Sequence, residues 1–320
     1  MVYSLGHRMA YVPIPAISGA KLAESADARW QRAREARPDL EPALALQRQL
    51  LARVLEAAAL LDGGRLPRLS LPSRYLAAKL GRGVPALAGE PIPLPVPALE
   101  PTLLRLCAAL AAGGAGDAAE HVRSAIAGGG LDAASLLTAS LHRDQAAVRT
   151  AAVHRGLSPD LLWLAAELAV SPFVHALQRL LLGGATADLE AALDKWDRGY
   201  CAACGSWPAV AEVVHGHRTL RCSFCAAAWD LPTYACIYCR EAGEPFVTAA
   251  PDEERKDRRV EVCSTCGGYL KTIDLPELSA FPLLSISDIE TTDLDVAAME
   301  HGYRRPALLD FARRAEGARG

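Results

Sequence analysis

The stretch YCAACGSWP, residues 200–208, writes a Cys-x-x-Cys turn, and the same spacing returns three times before residue 267. The repeats are CSFC (Cys222, Cys225), CIYC (Cys236, Cys239) and CSTC (Cys263, Cys266), so the pattern reads C-x2-C-x17-C-x2-C, then C-x2-C-x23-C-x2-C. A tetrahedral metal site needs four soft ligands converging on one point. Two such knuckles on two hairpins supply them, because each turn aims both sulfurs and several backbone N–H groups at that point. Eight thiolates make two four-sulfur sites, with Cys201, Cys204, Cys222, Cys225, Cys236, Cys239, Cys263 and Cys266 as the metal ligands. Of the three ways to pair four knuckles, consecutive pairing is the simplest and interleaved pairing the runner-up. Glycine follows the second cysteine in two knuckles, as Gly205 and Gly267, where it permits a left-handed turn; Ala226 and Arg240 stand there in the other two.

Around the knuckles the texture is that of short hairpins. AVAEVV, RTLRC, PFVTAA, RRVEVC and YLKTID are β-branched or aromatic runs separated by turns. Before residue 198 the sequence reads as all-helical, with Ala/Leu segments punctuated by Gly and Pro. Helices are predicted at 24–37, 42–61, 100–112, 117–127, 132–155, 159–182 and 187–196. For the sixth, Ser158 is offered as N-cap, Pro159 at the first position, Asp160 on the dipole and Gly183-Gly184 at the end, with a kink at Pro172. EPIPLPVPA (90–98) predicts an extended strap on these helices. After the last cysteines, Asp288 or Thr292 is offered as the cap of a C-terminal helix that Gly302 ends, followed by a loose tail. The fold class expected is α+β: a helical domain at 1–198, rubredoxin-like or zinc-ribbon-like metal modules at 199–232 and 233–276, and a C-terminal helix and tail at 277–320.

Composition narrows the function classes. The chain has 320 residues, 51% of them hydrophobic, and a net charge of −3. From Gly199 onward there are 13 Lys and Arg against 18 Asp and Glu, which argues against a nucleic-acid footprint. The basic spots HGHRTLR (215–221) and RKDRR (255–259) read as charge-mixed loops. No secretory leader is read at the N-terminus. The longest apolar candidate, at 161–182, is interrupted by Glu167, Pro172, His175 and Arg179, so no membrane insertion is expected. The expected location is the cytoplasm, where paired cysteines are more often ligands or redox thiols than disulfides.

A closed four-thiolate site takes zinc or iron and leaves no open coordination position, so it builds structure or carries an electron rather than activating water. His215 and His217 read as exposed loop residues, Cys107 as core, and His154 and His175 as lone helix residues. Neither a Ser-His-Asp order nor a carboxylate pair suggests catalysis.

The knuckles with their surroundings, WDRGYCAACGSWP (196–208), LRCSFCAAAW (220–229), CIYC, VEVCSTCGGYLK (260–271) and DIETTDLDVAAMEHGY (288–303), resemble the formate dehydrogenase accessory protein family, FdhE. One departure is Ala202, where the family commonly has proline. The resemblance implies a helical domain joined to two rubredoxin-like modules, each binding one iron, two per chain, with zinc as the alternative. It implies a non-enzymatic cytoplasmic helper that binds the catalytic subunit of a molybdenum- or tungsten-containing formate dehydrogenase during maturation. The eight cysteines would serve as ligands and as determinants of that interaction. A homodimer is compatible with it. The alternatives are a nucleic-acid-binding zinc ribbon and a thiol or electron-transfer redox protein.

Overall fold

Leucine and alanine at helical spacing fold into a bundle in the computed structural model, which describes residues 11–14, 19–62, 66, 67, 69, 71–251 and 255–309. The helices are α1 (Gly19–Ala36), α2 (Glu41–Asp62), α3 (Ser73–Gly81), α4 (Val96–Leu110), α5 (Gly116–Ala127), α6 (Ala133–Leu141), α7 (Gln145–Val153), α8 (Pro159–Leu182) and α9 (Ala187–Asp194). α8 is the hub, in contact with α2, α4, α5, α6 and α7. Its Leu162, Phe173, Val174 and Leu177 are fully sealed from water, each large side chain contributing about 1.5–3 kcal/mol by burial. Pro159 and Asp160 occupy its first turn as predicted; Ser158 stands at the N-cap, but its hydroxyl makes no capping bond, and the helix runs on through Pro172.

Two helical expectations change. The window 132–155 is two helices, because Arg143 takes a left-handed turn (φ 59°) and Asp144 caps a new helix through the Ala147 N–H at 2.9 Å. α3 was not expected; it packs on α9. Its Lys79 is buried and donates to the Ala86 and Ala88 carbonyls at 3.0 and 2.7 Å, closing an ion pair with Glu90. The strap is extended over 90–95, with Ile92 buried between exposed Pro91 and Pro93. By length and composition, Val96–Ala127 and Pro159–Leu182 could each cross a membrane, contrary to the sequence reading. The first is interrupted at Gly114 (φ 116°), and the second is the bundle's core helix.

The cysteine half, joined by β1 (Tyr11–Val12) from the start of the described chain, forms one sheet with β2 (Pro208–Val214), β3 (His217–Cys222), β4 (Ala228–Trp229), β5 (Phe246–Ala249), β6 (Arg258–Cys263) and β7 (Gly268–Asp274). Its order is β1-β4-β3-β2-β7-β6-β5. Hairpins β2–β3 and β6–β7 are antiparallel and fuse through a parallel β2–β7 pair, Val210 opposite Lys271 through Val213 opposite Asp274. β1 pairs with β4, Tyr11 opposite Trp229, which ties the start of the described chain to the first hairpin.

The single predicted C-terminal helix is two, α10 (Leu284–Glu290) and α11 (Thr292–Glu300), ended at Gly302 (φ 85°). Asp288 caps neither: it lies inside α10, 2.7 Å from the Lys271 ammonium, which also meets Asp295 at 2.6 Å. Tyr269 donates to Asp295 at 2.9 Å. A second buried tie is the fully sealed Arg221–Glu212 ion pair. Arg221 also donates to the Ser279 carbonyl at 2.7 Å, and Glu212 accepts from the Ser279 N–H at 3.0 Å. The predicted loose tail, from residue 310 on, lies outside the described residues.

Candidate metal centres

The four knuckles share one backbone design. In each, the residue after the second cysteine donates its N–H to the carbonyl of the first: Gly205 to Cys201 (2.9 Å), Ala226 to Cys222 (3.2 Å), Arg240 to Cys236 (2.9 Å) and Gly267 to Cys263 (2.8 Å). Closing that turn requires a left-handed residue, and all four comply, at φ 81°, 54°, 70° and 67°. Ala226 and Arg240 therefore adopt the conformation that the sequence offers only to Gly205 and Gly267, against a penalty of roughly 1–2 kcal/mol. The free N–H groups inside the turn then point at sulfur: Phe224 and Cys225 both donate to the Cys222 Sγ at 3.4 Å.

The cysteines gather in consecutive pairs of knuckles: Cys201, Cys204, Cys222 and Cys225 in one group, Cys236, Cys239, Cys263 and Cys266 in the other, the sulfurs of each within 4.8 Å of one another. In the first, Cys201–Cys225, Cys204–Cys222 and Cys204–Cys225 are 3.6, 3.4 and 3.7 Å apart; in the second, Cys236–Cys266 and Cys239–Cys263 are each 3.6 Å apart. Four sulfurs at about 2.3 Å from a tetrahedral cation lie about 3.8 Å from each other, whereas a disulfide spans about 2.05 Å. The spacing is that of two metal-binding groups, and no disulfide links the described cysteines.

Electrostatics point the same way. Burial pushes the Cys201 and Cys225 thiols well above the ordinary value. Burial also opposes ionisation of Cys204, but hydrogen bonds from Cys201, Cys222 and Cys225 hold it well below that value. A dry pocket that favours the Cys204 thiolate and resists those of Cys201 and Cys225 suits a soft cation, whose charge would offset the thiolates. The donor set therefore fits a thiophilic metal.

The first centre is walled on every side. The Ala202 and Ala203 carbonyls accept from the Ala86 and Leu87 N–H groups at 2.8 and 2.9 Å, so the loop after α3 lies on the first knuckle. Tyr11 donates to Gln178 at 3.0 Å, its phenol raised to about 12 by burial and by Cys225 and Cys201 nearby. His175 on α8, read from the sequence as a lone residue, stacks on Phe281 at 4.2 Å. Burial lowers it to about 4, so its neutral ring donates from Nδ1 to the Cys225 carbonyl at 2.9 Å. Arg143 lays its guanidinium 4.0 Å over the ring of Phe224, inside the second knuckle, and 4.7 Å over Trp163, while pairing with Glu167 at 2.6 Å. No local signal marks either residue as a neighbour of the cysteines; only the path of α8 and the α6–α7 corner brings them there.

The second centre lies at the outer hairpin, with Cys236 and Cys263 buried and Cys239 and Cys266 exposed. Inside its first knuckle, Tyr238 donates to the Tyr269 carbonyl at 2.9 Å and meets Trp207 edge-on, ring centroids 5.0 Å apart. Trp207 and Phe224 help line a groove of about 480 Å³ between the helical bundle, the first centre and α10. Of the residues weighed as possible ligands, His215 is exposed in the β2–β3 turn, and His217 bonds Asp230 at 2.6 Å. Cys107 is core, its thiol raised to about 11 by burial. The basic spots are engaged internally: Arg218 with Glu261, Arg259 with Asp274 and Arg255 with Asp293.

No protein-family model matches the chain. Similar curated proteins are all named Protein FdhE homolog. The Aquifex aeolicus one is 29% identical over 115 residues, 34% of this chain and 40% of that protein. The Pseudomonas aeruginosa one is 30% identical over 154 residues, 44% of this chain and 50% of that protein. The chain thus spans half or less of the length of these relatives. Among solved structures, the crystal structure of the FdhE protein from Pseudomonas aeruginosa matches with a TM-score of 0.54 at 24% identity, over 87% of this chain and 92% of that one, which shows a common fold. The resemblance to the FdhE family is borne out by these matches.

Proposed function

We propose that this FdhE-like chain is a non-enzymatic cytoplasmic assembly factor that binds the catalytic subunit of a molybdenum- or tungsten-containing formate dehydrogenase during its maturation. The observation that carries this reading is the pair of closed four-cysteine groups, both built on one sheet that lines the groove against the helical bundle. Closed thiolate sites lack a coordination position for substrate, so the protein's work is assigned to its surface, and grooves between elements are common docking places. Cys201, Cys204, Cys222 and Cys225 would hold one iron, and Cys236, Cys239, Cys263 and Cys266 a second. When bound, each metal supplies a rigid cross-link between hairpins and, as iron, a one-electron couple. The arginines of the two basic spots are committed to ion pairs within the fold, which speaks against a nucleic-acid surface.

The test is capture of the immature catalytic subunit by the purified chain, with metal content measured on the same sample. Stoichiometric capture with about two irons per chain is the expected result. Absence of capture, or tight salt-dependent nucleic-acid binding in its place, would overturn it.

A further inference from the structure

The two clusters offer the same sulfurs, yet only one is within reach of solvent. Cys201, Cys204, Cys222 and Cys225 are each 5% exposed or less. In the second cluster each knuckle leaves one cysteine exposed, Cys239 and Cys266, so the cluster has a solvent-side pair of ligand residues that the first lacks. Chelators, oxidants and competing thiols reach a bound metal through its ligand sulfurs, and access governs their rate. Inside the same knuckle stands Tyr238, between Cys236 and Cys239. Its ring meets Trp207, and the Trp207 indole N–H donates to the Ala307 carbonyl at 3.0 Å, fastening the C-terminal segment to the groove.

We propose that the second centre is an exchangeable site for a soft thiophilic cation, and that its emptying is relayed through Tyr238 and Trp207 to the groove, while the first centre stays filled. The proposal rests on reading both clusters as metal centres. Were a cation held by Cys236, Cys239, Cys263 and Cys266, its release would break four metal–sulfur bonds, the cation passing to the competing chelator and the four sulfurs taking up protons from solvent. The third knuckle would then keep the hydrogen bond from Tyr238 to the Tyr269 carbonyl without a metal tether to the fourth, and Tyr238 would gain freedom to move against the Trp207 ring.

The experiment uses the full chain loaded with two equivalents of zinc, challenged with excess EDTA and pulsed with iodoacetamide, with alkylated cysteines mapped by mass spectrometry. Cys236, Cys239, Cys263 and Cys266 are expected to be labelled at least tenfold faster than the other four ligands, in step with loss of one zinc. Tryptophan fluorescence should change in that same phase in the wild type and not in Trp207→Phe. Release of both zincs together, or of the first cluster's zinc first, would overturn the exchangeable site. Loss of one zinc with no Trp207-dependent change would overturn the relay. A chain that never holds two equivalents would remove the metal reading itself, and the proposal with it.

Discussion

The two cysteine clusters have the same four sulfurs, the same turn and the same left-handed conformation after each knuckle, but one is built into the core and the other onto the edge. Cys201, Cys204, Cys222 and Cys225 belong to the same apolar cluster as Leu162, Phe173 and Leu177 of α8, whereas two of the second cluster's four cysteines, Cys239 and Cys266, are exposed. The difference lies in what each hairpin packs against. β3 and β4 carry Leu220 and Trp229 into the bundle, while β6 packs through Val260 and Val262 on Ala298 of α11, in a small cluster separate from the main core. Identical local chemistry thus gives one centre inside the main core and one at its edge.

That contrast is broken most severely at a ligand. Cys222→Ser should remove the first metal and leave polar groups in a sealed core, at a loss comparable to the full stability of an ordinary domain, about 5–15 kcal/mol. Cys266→Ser should leave one metal per chain and a cooperative thermal transition of the helical bundle. Circular dichroism melts with metal analysis decide it, and equal damage from both substitutions would mean that the clusters are energetically equivalent.

Next in size is the ion pair beneath the first hairpin. Arg221 and Glu212 are both fully buried, so Glu212→Ala leaves an uncompensated guanidinium and should cost about 3–5 kcal/mol in denaturant unfolding. Replacing both, as Arg221→Met with Glu212→Leu, should recover most of that loss. The seam between the modules is more tolerant. A methyl at Gly199 would press into the Ile237 carbonyl of the third knuckle, so Gly199→Ala should cost about 1–3 kcal/mol and loosen the second centre before the first.

Acid offers a gentler probe of the outer module. Burial resists ionisation of Asp288, but Lys271 and Arg305 outweigh it and hold the carboxyl below its ordinary value of 3.8. A depressed carboxylate stabilises the fold above its unfolded value and loses that contribution as pH falls through the folded one. Amide exchange in α10 and α11 should therefore accelerate below about pH 4, ahead of exchange in α8.

How much of this was legible in the sequence follows from the range of each interaction. The eight cysteines of the two four-cysteine groups were, because a Cys-x-x-Cys knuckle is a local object whose spacing is the signal. α8 was, because Pro159, Asp160 and Gly183 bracket a long apolar period. The split at Arg143 had a local signal that the long period masked: Asp144 stands three residues before Ala147, at capping distance. α3 is a short helix held by tertiary ties such as Lys79 to Glu90. The pairing of knuckles, and the approach of His175 to Cys225 across 50 residues, depend on topology, which one sequence leaves undetermined. The same holds for Tyr269 and Lys271: both stood in a recognised stretch, and so did Asp288 and Asp295, but only the fold shows that one stretch bonds the other.

The smallest expected effect isolates the knuckle turn itself. Ala226 and Arg240 occupy equivalent positions with positive φ, one in the sealed centre and one in the open one. Glycine relieves roughly 1–2 kcal/mol of left-handed strain at either site but adds about 0.4–1 kcal/mol of unfolded-state entropy. At Arg240 the side chain is exposed and its tie to Asp197 is a surface pair of little worth, so Arg240→Gly should stabilise by about 0.5–1 kcal/mol. At Ala226 the methyl is packed with Val210 and Leu284, and removing it forfeits about 0.8 kcal/mol of burial, so Ala226→Gly should be near neutral. Paired urea titrations measure both changes. Equal stabilisation would mean that the turn governs stability independently of its surroundings, whereas the expected inequality would locate the difference between the centres in packing rather than in the knuckles.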